Sequence, residues 1–368
     1  MNILFITNHL NVGGITSYVF SLSRGLKKLG HNVYLASSGG DYLTRFTEEG
    51  IIFIPVPIRT KSEINVFKIG LSFLRLLKDI REKDIQIVHT NSRVTQVLGH
   101  LLKKKTGIIH VTTWHGFFQR RWFRRIFPCW ADKTIAISEQ VMAHLLSEFE
   151  AGVKNVKLVY NGIDLEKVKL KGPVNRSELK SRFGLKDGPV VGIVARLSDV
   201  KGHVYLIRAM EKVLKKSCDA QLLIVGEGKM EKELLALAEE LKIGKSVVFI
   251  PRSNNIAELY YIMDVFVMPS LKEGLGLGLM EAMAGAKAVV GSAVGGIKNL
   301  IQDRQTGLLV GPRDIEGLSR AILELLNDPA AAAIMGNNAR IFISQNFSLE
   351  KMLSQTQEVY RECLNTRN

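Results

Sequence analysis

Short apolar runs alternate with longer amphipathic stretches along the chain. In the first half Ile3–Thr7, Asn32–Ala36, Ile51–Pro55, Ile85–His89, Ile108–Thr112, Thr134–Ile137 and Val156–Val159 are mostly β-branched or apolar, the pattern of strands buried on both faces. Between them Ile15–Leu29, Val66–Ile80, Val94–Lys104 and Glu139–Phe149 carry apolar residues at helical spacing. Such alternation predicts a parallel sheet covered by helices on both faces. A break follows: Asn161-Gly162-Ile163-Asp164 reads as a turn, and the Lys-rich segment to Gly188-Pro189, with Gly172-Pro173 inside it, reads as a linker. The alternation then restarts with strands at Val190–Ala195, Gln221–Val225, Ser246–Ile250, Val265–Met268, Ala288–Gly291 and Gly307–Val310. Helices are expected near 202–216, 229–242, 255–262, 279–286, 296–301 and 314–327. The doubly wound pattern therefore occurs twice. A last helix, about Leu349–Leu364, has no strand after it.

The length of 368 residues suits two domains, and 46% hydrophobic with 23% charged residues describes a globular chain. No apolar run approaches the roughly 20 residues needed to span a bilayer. Met1–Thr7 lacks the basic start of a secretory leader. Cys129, Cys218 and Cys363 are far apart and without metal-like spacing, which suggests a reduced, cytoplasmic setting. The net charge of +15 changes the picture more. It calls for an acidic partner: nucleotide phosphates, anionic lipid or nucleic acid. Residues 1–165 hold about 22 Lys and Arg against about 12 Asp and Glu, so roughly two thirds of the excess lies there.

Candidate chemistry collects where strands end. Glu273-Gly274-Leu275-Gly276-Leu277-Gly278-Leu279-Met280-Glu281 follows the expected strand Val265–Met268. Its glycines disfavour one continuous helix, so it reads as a loop opening into a helix, with Glu281 in the first helical turn. Backbone N–H groups at such a helix start suit an anion, and the two carboxylates suit hydroxyls of a polyol. Arg196 and Lys201 follow the first strand of the second half and would converge on one anion, with Ser198 or Asp199 as a helix cap. Asn11-Val12-Gly13-Gly14 is either a phosphate cradle or a plain tight turn. His115, in Thr113-Trp114-His115-Gly116, stands at the carboxyl end of a strand. Gly226 and Arg252 follow the next two strands of the second half. Residues 117–130 mix Arg120, Arg121, Arg124 and Arg125 with Phe and Trp rings. They suit an anionic membrane surface or stacked bases, or a helix with its rings packed inward.

The two framing glutamates resemble the E-x7-E motif of retaining glycosyltransferases of family 4, and the strand–Arg–Leu…Lys–Gly pattern at 192–202 resembles a second motif of that family. The resemblance extends over nearly the whole chain. It implies an α/β protein of GT-B fold, with two doubly wound Rossmann-like domains facing a central cleft. Residues 1–165 would form the acceptor side, 166–345 the donor side, and 346–368 a helix crossing back. It implies that Glu273 contacts the donor sugar and Glu281 the ribose, with Gly274, Leu275, Gly276 and Leu277 lining the donor site. Arg196, Lys201 and the Gly13-Gly14 amides would meet the diphosphate, His115 would stand near the reaction centre, and Gly226 and Arg252 would line the base pocket. The loop Ala293–Ile297 would lie near the donor. Where the family often has Pro-Glu, this chain has Lys298-Asn299, and the frequent C-G-x-P appears as Gly285-Ala286-Lys287-Ala288. Both departures bear on donor identity.

The implied reaction moves a sugar from a nucleotide sugar to an acceptor hydroxyl with retained configuration. The donor would be a UDP-sugar, or alternatively a GDP-sugar, and the acceptor a glycan or lipid-linked glycan of the cell surface. No D-x-D pair stands where a metal would be held, so cations, amides and a helix dipole are expected to stabilise the leaving diphosphate without metal or other cofactor. Residues 117–130 would touch the cytoplasmic face of a membrane, and nucleic acid is not expected. The alternatives are a sugar-nucleotide epimerase of the same fold and a non-catalytic protein binding nucleic acid or membrane.

Overall fold

The computed structural model describes residues 1–11, 13–60, 62–118, 127–149, 151–170, 172–251 and 255–366. It divides into two compact units, Met1–Gly162 with Leu349–Asn368, and Ile163–Ser348.

The first unit runs β1 (Asn2–Ile6), α1 (Gly14–Lys28), β2 (Asn32–Ser37), α2 (Leu43–Glu48), β3 (Ile52–Pro55), α3 (Val66–Glu82), β4 (Ile87–Thr90), α4 (Arg93–Thr106), β5 (Ile109–Trp114), β6 (Lys133–Ala136), α5 (Glu139–Phe149) and β7 (Val156–Leu158). Its seven strands are parallel, in the order β3-β2-β1-β4-β5-β6-β7. Alternation along β1 builds two cores. Ile3 and Phe5 face one side, with Leu22 and Leu26 of α1. Leu4 and Ile6 face the other, with Ile69, Leu76 and Ile80 of α3 and Leu98 and Leu102 of α4. The start of α4 is fixed by a reciprocal capping box between Ser92 and Thr95, and its end by Gly107 in the left-handed region.

The second unit runs α6 (Arg176–Arg182), β8 (Val190–Val194), α7 (His203–Leu214), β9 (Gln221–Val225), α8 (Glu231–Glu240), β10 (Val247–Ile250), α9 (Ile256–Ile262), β11 (Val265–Met268), α10 (Leu277–Ala284), β12 (Ala288–Ser292), α11 (Ile297–Leu300), β13 (Leu308–Val310), α12 (Ile315–Asn327) and α13 (Pro329–Asn346). Its sheet is also parallel, ordered β10-β9-β8-β11-β12-β13. In both sheets the strand order reverses beside the first strand, between β1 and β4 and between β8 and β11. Ligands of open α/β sheets bind at the carboxyl ends of the strands flanking such a reversal.

A final helix, α14 (Leu349–Asn365), packs on α1 of the first unit. It contributes Met352, Leu353, Val359, Tyr360 and Cys363 to that unit's core.

Among the described residues, three helices lie outside the sequence expectation. Helices α2 and α6 are short, and α13 buries mainly small residues, Ala332, Gly336 and Ala339, besides Ile343. The segment read as a linker is folded onto the second unit, where Val168, Leu179 and Leu185 are buried.

Candidate active site

Lys201 and Glu273 come from separate loops of the second unit. Lys201 ends a short 3-10 turn, Asp199–Lys201, after β8, and Gly202 then opens α7 in the left-handed region, with φ 73°. A Cβ at Gly202 would run into the carbonyl oxygen of Pro269, just past β11, so glycine alone allows the two loops to close on each other. Val200 O accepts from Leu271 N at 2.8 Å and reinforces the closure. Lys201 Nζ then reaches Glu273 Oε2 at 2.5 Å, with side chains 20% and 11% exposed. Ser270 Oγ donates to the same carboxylate oxygen at 3.3 Å. Gly296 N donates to Glu273 O at 3.3 Å, so the Ala293–Ile297 loop supports the glutamate from behind.

Arg196 takes no part in the Lys201–Glu273 pair. Its side chain is exposed, without a hydrogen bond or ion pair among the described residues. The expected cap is absent too. Gly202 precedes α7, and Ser198 Oγ is buried without a partner among the described residues. His203, the first residue of α7, is likewise buried with neither ring nitrogen bonded among the described residues, and burial pushes its pKa down to about 4, with Lys201 adding to the effect.

Helix α10 starts at Leu277, two residues earlier than the sequence suggests, because Gly276 adopts a left-handed conformation (φ 102°) that turns the chain into the helix at once. Glu281 therefore lies in the second turn, not the first. Its carboxylate accepts from Tyr260 Oη at 2.9 Å, and that hydroxyl also lies 3.1 Å from Gly278 O. Burial raises the Glu281 pKa against the lowering effects of Tyr260 and, at longer range, Lys167. Gly274 and Leu275 lie on the loop between Glu273 and α10, with Leu275 buried. Gly226 follows β9 and donates to Ile250 O at 3.0 Å, whereas Arg252 lies outside the described residues.

In the first unit the candidate groups sit past β1 and β5. Gly14 opens α1, and Gly13 precedes it with an extended backbone and, chain neighbours aside, no atom of the described residues within 4 Å of where a Cβ would be. His115 follows β5, with Nε2 3.2 Å from Asn91 Oδ1 and the ring edge-on to Tyr18 at 4.7 Å. Burial pushes its pKa down to about 3, so the imidazole is neutral at physiological pH. Behind it runs a buried polar chain. Tyr18 Oη is 3.1 Å from Thr113 Oγ1, Thr113 Oγ1 is 2.7 Å from His89 Nε2, and His89 Nδ1 is 2.5 Å from Tyr360 Oη on α14.

Asn91, Tyr18, Tyr260 and Ser270 were not singled out from sequence. Asn91 immediately follows β4, so the rule that selects His115 also selects it. Tyr260 carries no local signal.

Within residues 117–130 the described rings mostly pack inward. Phe118 and Trp130 lie against Trp114 at 5.0 and 6.3 Å, and Phe117 against His144 at 5.4 Å. Phe127 is exposed. The four arginines lie outside the described residues. No helix is long and apolar enough to cross a membrane, and no group of three or more His, Cys, Asp or Glu is placed to hold a metal ion, both among the described residues.

Residues 12–167 match the family model for Glycosyltransferase Family 4, and residues 175–342 that for Glycosyl transferases group 1. N-acetyl-alpha-D-glucosaminyl L-malate synthase of Bacillus anthracis is 28% identical over 372 residues, 98% of this chain and 96% of that protein. The UDP-Gal:alpha-D-GlcNAc-diphosphoundecaprenol alpha-1,3-galactosyltransferase of Escherichia coli is 26% identical over 337 residues, 86% of each protein. HepE of Anabaena, crystallised with UDP and glucose, superposes with a TM-score of 0.87 at 21% identity, covering 98% of this chain and 99% of that one. Fold and matches together define a nucleotide-sugar glycosyltransferase of GT-B architecture. The chain belongs to glycosyltransferase family 4 and is an enzyme of the hexosyltransferase type.

Proposed function

We propose that the enzyme transfers a hexosyl group from a UDP-sugar to a hydroxyl of a glycan or lipid-linked acceptor, retaining anomeric configuration and without a metal ion. The observation that carries the reading is the Lys201–Glu273 pair at the strand-order reversal of the second sheet, with Arg196 exposed five residues before Lys201. Paired with Glu273, Lys201 brings little net charge, so Arg196 supplies the uncompensated cation for the departing diphosphate. The N–H groups opening α10 add the positive end of a helix. Glu273 accepts from donor-sugar hydroxyls while Lys201 and Ser270 hold its other oxygen. Glu281, oriented by Tyr260, accepts from the ribose hydroxyls. Gly226 and Arg252 border the base. Gly13 and Gly14 offer backbone amides to the diphosphate, and neutral His115, held by Asn91, acts on the sugar beside the scissile bond.

UDP is favoured over GDP because HepE was crystallised with UDP and the galactosyltransferase relative is named for UDP-Gal. A lipid-linked acceptor is favoured because that relative is named for one carried on diphosphoundecaprenol. The basic excess of residues 1–165 supports work on the cytoplasmic face of a membrane, with residues 117–130 touching anionic lipid. The test is a thermal-shift screen of UDP- and GDP-sugars, followed by NMR of the product formed with the stabilising donor. A ligand at 100 times its dissociation constant raises stability by about 2.7 kcal/mol. A product of inverted anomeric configuration overturns retention, and an epimer formed from donor alone makes the enzyme an isomerase.

A further inference from the structure

Helix α3 turns an apolar face away from the protein. Its inner face is complete, since Ile69, Ser72, Leu76 and Ile80 are buried against the sheet and α4. Yet Val66 is 77% exposed, Phe67 72%, Leu71 44% and Leu74 66%, and Ile64 just before the helix is 62% exposed. Five of the thirteen exposed large hydrophobic side chains among the described residues thus lie within residues 64–74. They cluster where scattered ones would need no explanation. Phe67, Leu71 and Leu74 are spaced four and three residues apart and share one face, which Lys78 and Arg81 continue one and two turns further on. Arg75, Lys78 and Arg81 are all exposed, against one exposed acid on the helix, Glu82, whose Oε1 lies 3.5 Å from Lys78 Nζ. The approach to α3 is fixed: Glu63 pairs with Arg93 at 2.7 Å, both side chains 9% exposed, and Asn65 caps the helix by accepting from Lys68 N.

We propose that α3 lies in the plane of an anionic lipid surface, with Phe67, Leu71 and Leu74 inserted among the acyl chains and Arg75, Lys78 and Arg81 at the phosphates. Apolar residues flanked by long cations are the signature of an interfacial helix, because the cations extend their charge to the headgroups while their stems cover apolar surface. A second copy of the chain fits less well, since each copy would bring the same basic face and the same net charge of +15. The proposal extends the membrane reading above to a different segment, one that the structure describes side chain by side chain.

The experiment is co-sedimentation of the full chain with vesicles of equal parts phosphatidylcholine and phosphatidylglycerol, and with pure phosphatidylcholine. Wild type binds the anionic vesicles and releases them as salt is raised. Phe67→Ser alone weakens binding, and Phe67→Ser with Leu71→Ser and Leu74→Ser weakens it by at least about ten-fold. Lys78→Ser with Arg81→Ser removes most of the salt dependence. The nucleotide-sugar thermal shift is unchanged in every variant, which separates this proposal from the assigned activity. Equal binding by the triple variant and wild type overturns it, as does absence of wild-type binding. So does loss of binding only when Arg120, Arg121, Arg124 and Arg125 are changed to Ser. A wild-type dimer that the triple variant dissociates, without vesicle binding, assigns the face to a second copy instead.

Discussion

Lys201 Nζ stands 2.5 Å from Glu273 Oε2, and this contact joins the loop after β8 to the loop after β11 across the strand-order reversal. The pair leaves Arg196 as the exposed cation of that loop. The two basic residues therefore differ in what their removal does.

Arg196→Ala should lower transfer roughly 100- to 1,000-fold while the melting temperature stays put, the loss expected for one electrostatic stabiliser of a developing charge. Lys201→Ala should lower transfer too, but it also strands a largely buried carboxylate, so the protein should melt earlier. Adding Glu273→Gln should recover the melting temperature without recovering turnover. Steady-state kinetics beside thermal melts check all three. Equal melting of Lys201→Ala and wild type would show that the pair carries no structural role.

Glu281→Gln keeps the shape of the side chain and removes its charge. Nucleoside diphosphate affinity should fall about 10- to 150-fold, since a hydrogen bond to a charged group contributes roughly 1.5–3 kcal/mol. Burial raises the pKa of this carboxyl, so the folded state holds its proton more tightly than the unfolded chain. The contribution to stability is full below the ordinary glutamate value and is lost as pH rises through the raised one. Urea titrations from the ordinary glutamate value upward should show this loss in wild type but not in Glu281→Gln. Tyr260→Phe removes a bond that lowers the pKa and should extend the range upward.

His89 and His110 are fully buried, and burial pushes both down to about 3. Their folded values lie below the unfolded ones, so their contribution is full above about pH 6.5 and is lost as pH falls toward 3. Each adds a slope of about 1.4 kcal/mol per pH unit within that window. All three tryptophans, Trp114, Trp122 and Trp130, belong to the first unit, so tryptophan fluorescence in urea follows that unit alone. His110→Gln should make the fall in its unfolding free energy between pH 6 and pH 4 shallower by one proton's worth. An unchanged slope would mean that His110 is charged in the fold.

Gly202→Ala should open the contact between the two ligand loops, because the added methyl meets the Pro269 carbonyl and φ is 73°. Nucleotide-sugar binding should weaken at least ten-fold, a loss of about 1.4 kcal/mol or more. Calorimetry with the donor checks it, and wild-type affinity would count against the loop closure.

The sheets were legible because buried parallel strands are dense in β-branched residues; Gln221–Val225 and Val265–Met268 stand as read. Helix α13 was hidden because Ala332, Gly336 and Ala339 do its packing, and hydrophobic periodicity is blind to small side chains. Its start was nonetheless marked by Asp328 as cap and Pro329 in the first turn. At the site, motifs located the glycines, cations and carboxylates, but partners lie far off in sequence. Glu273 finds Lys201 72 residues away, and His89 finds Tyr360 271 residues away. The motif that joined Arg196 to Lys201 carried nothing about Lys201 turning to a carboxylate.

Helix α14 brings Met352, Leu353, Val359, Tyr360 and Cys363 to a unit whose strands all lie before Gly162. On a ribosome the first unit emerges first, yet these side chains follow only after all of Ile163–Ser348 has been made. At about 5–20 residues per second that wait is on the order of ten to forty seconds. The second unit is one uninterrupted segment and can close as soon as it is out. Folding should therefore finish in the reverse order of synthesis. Through the interval the nascent first unit carries an open apolar strip along α1 and a His89 without its tyrosine, the kind of surface that chaperones bind.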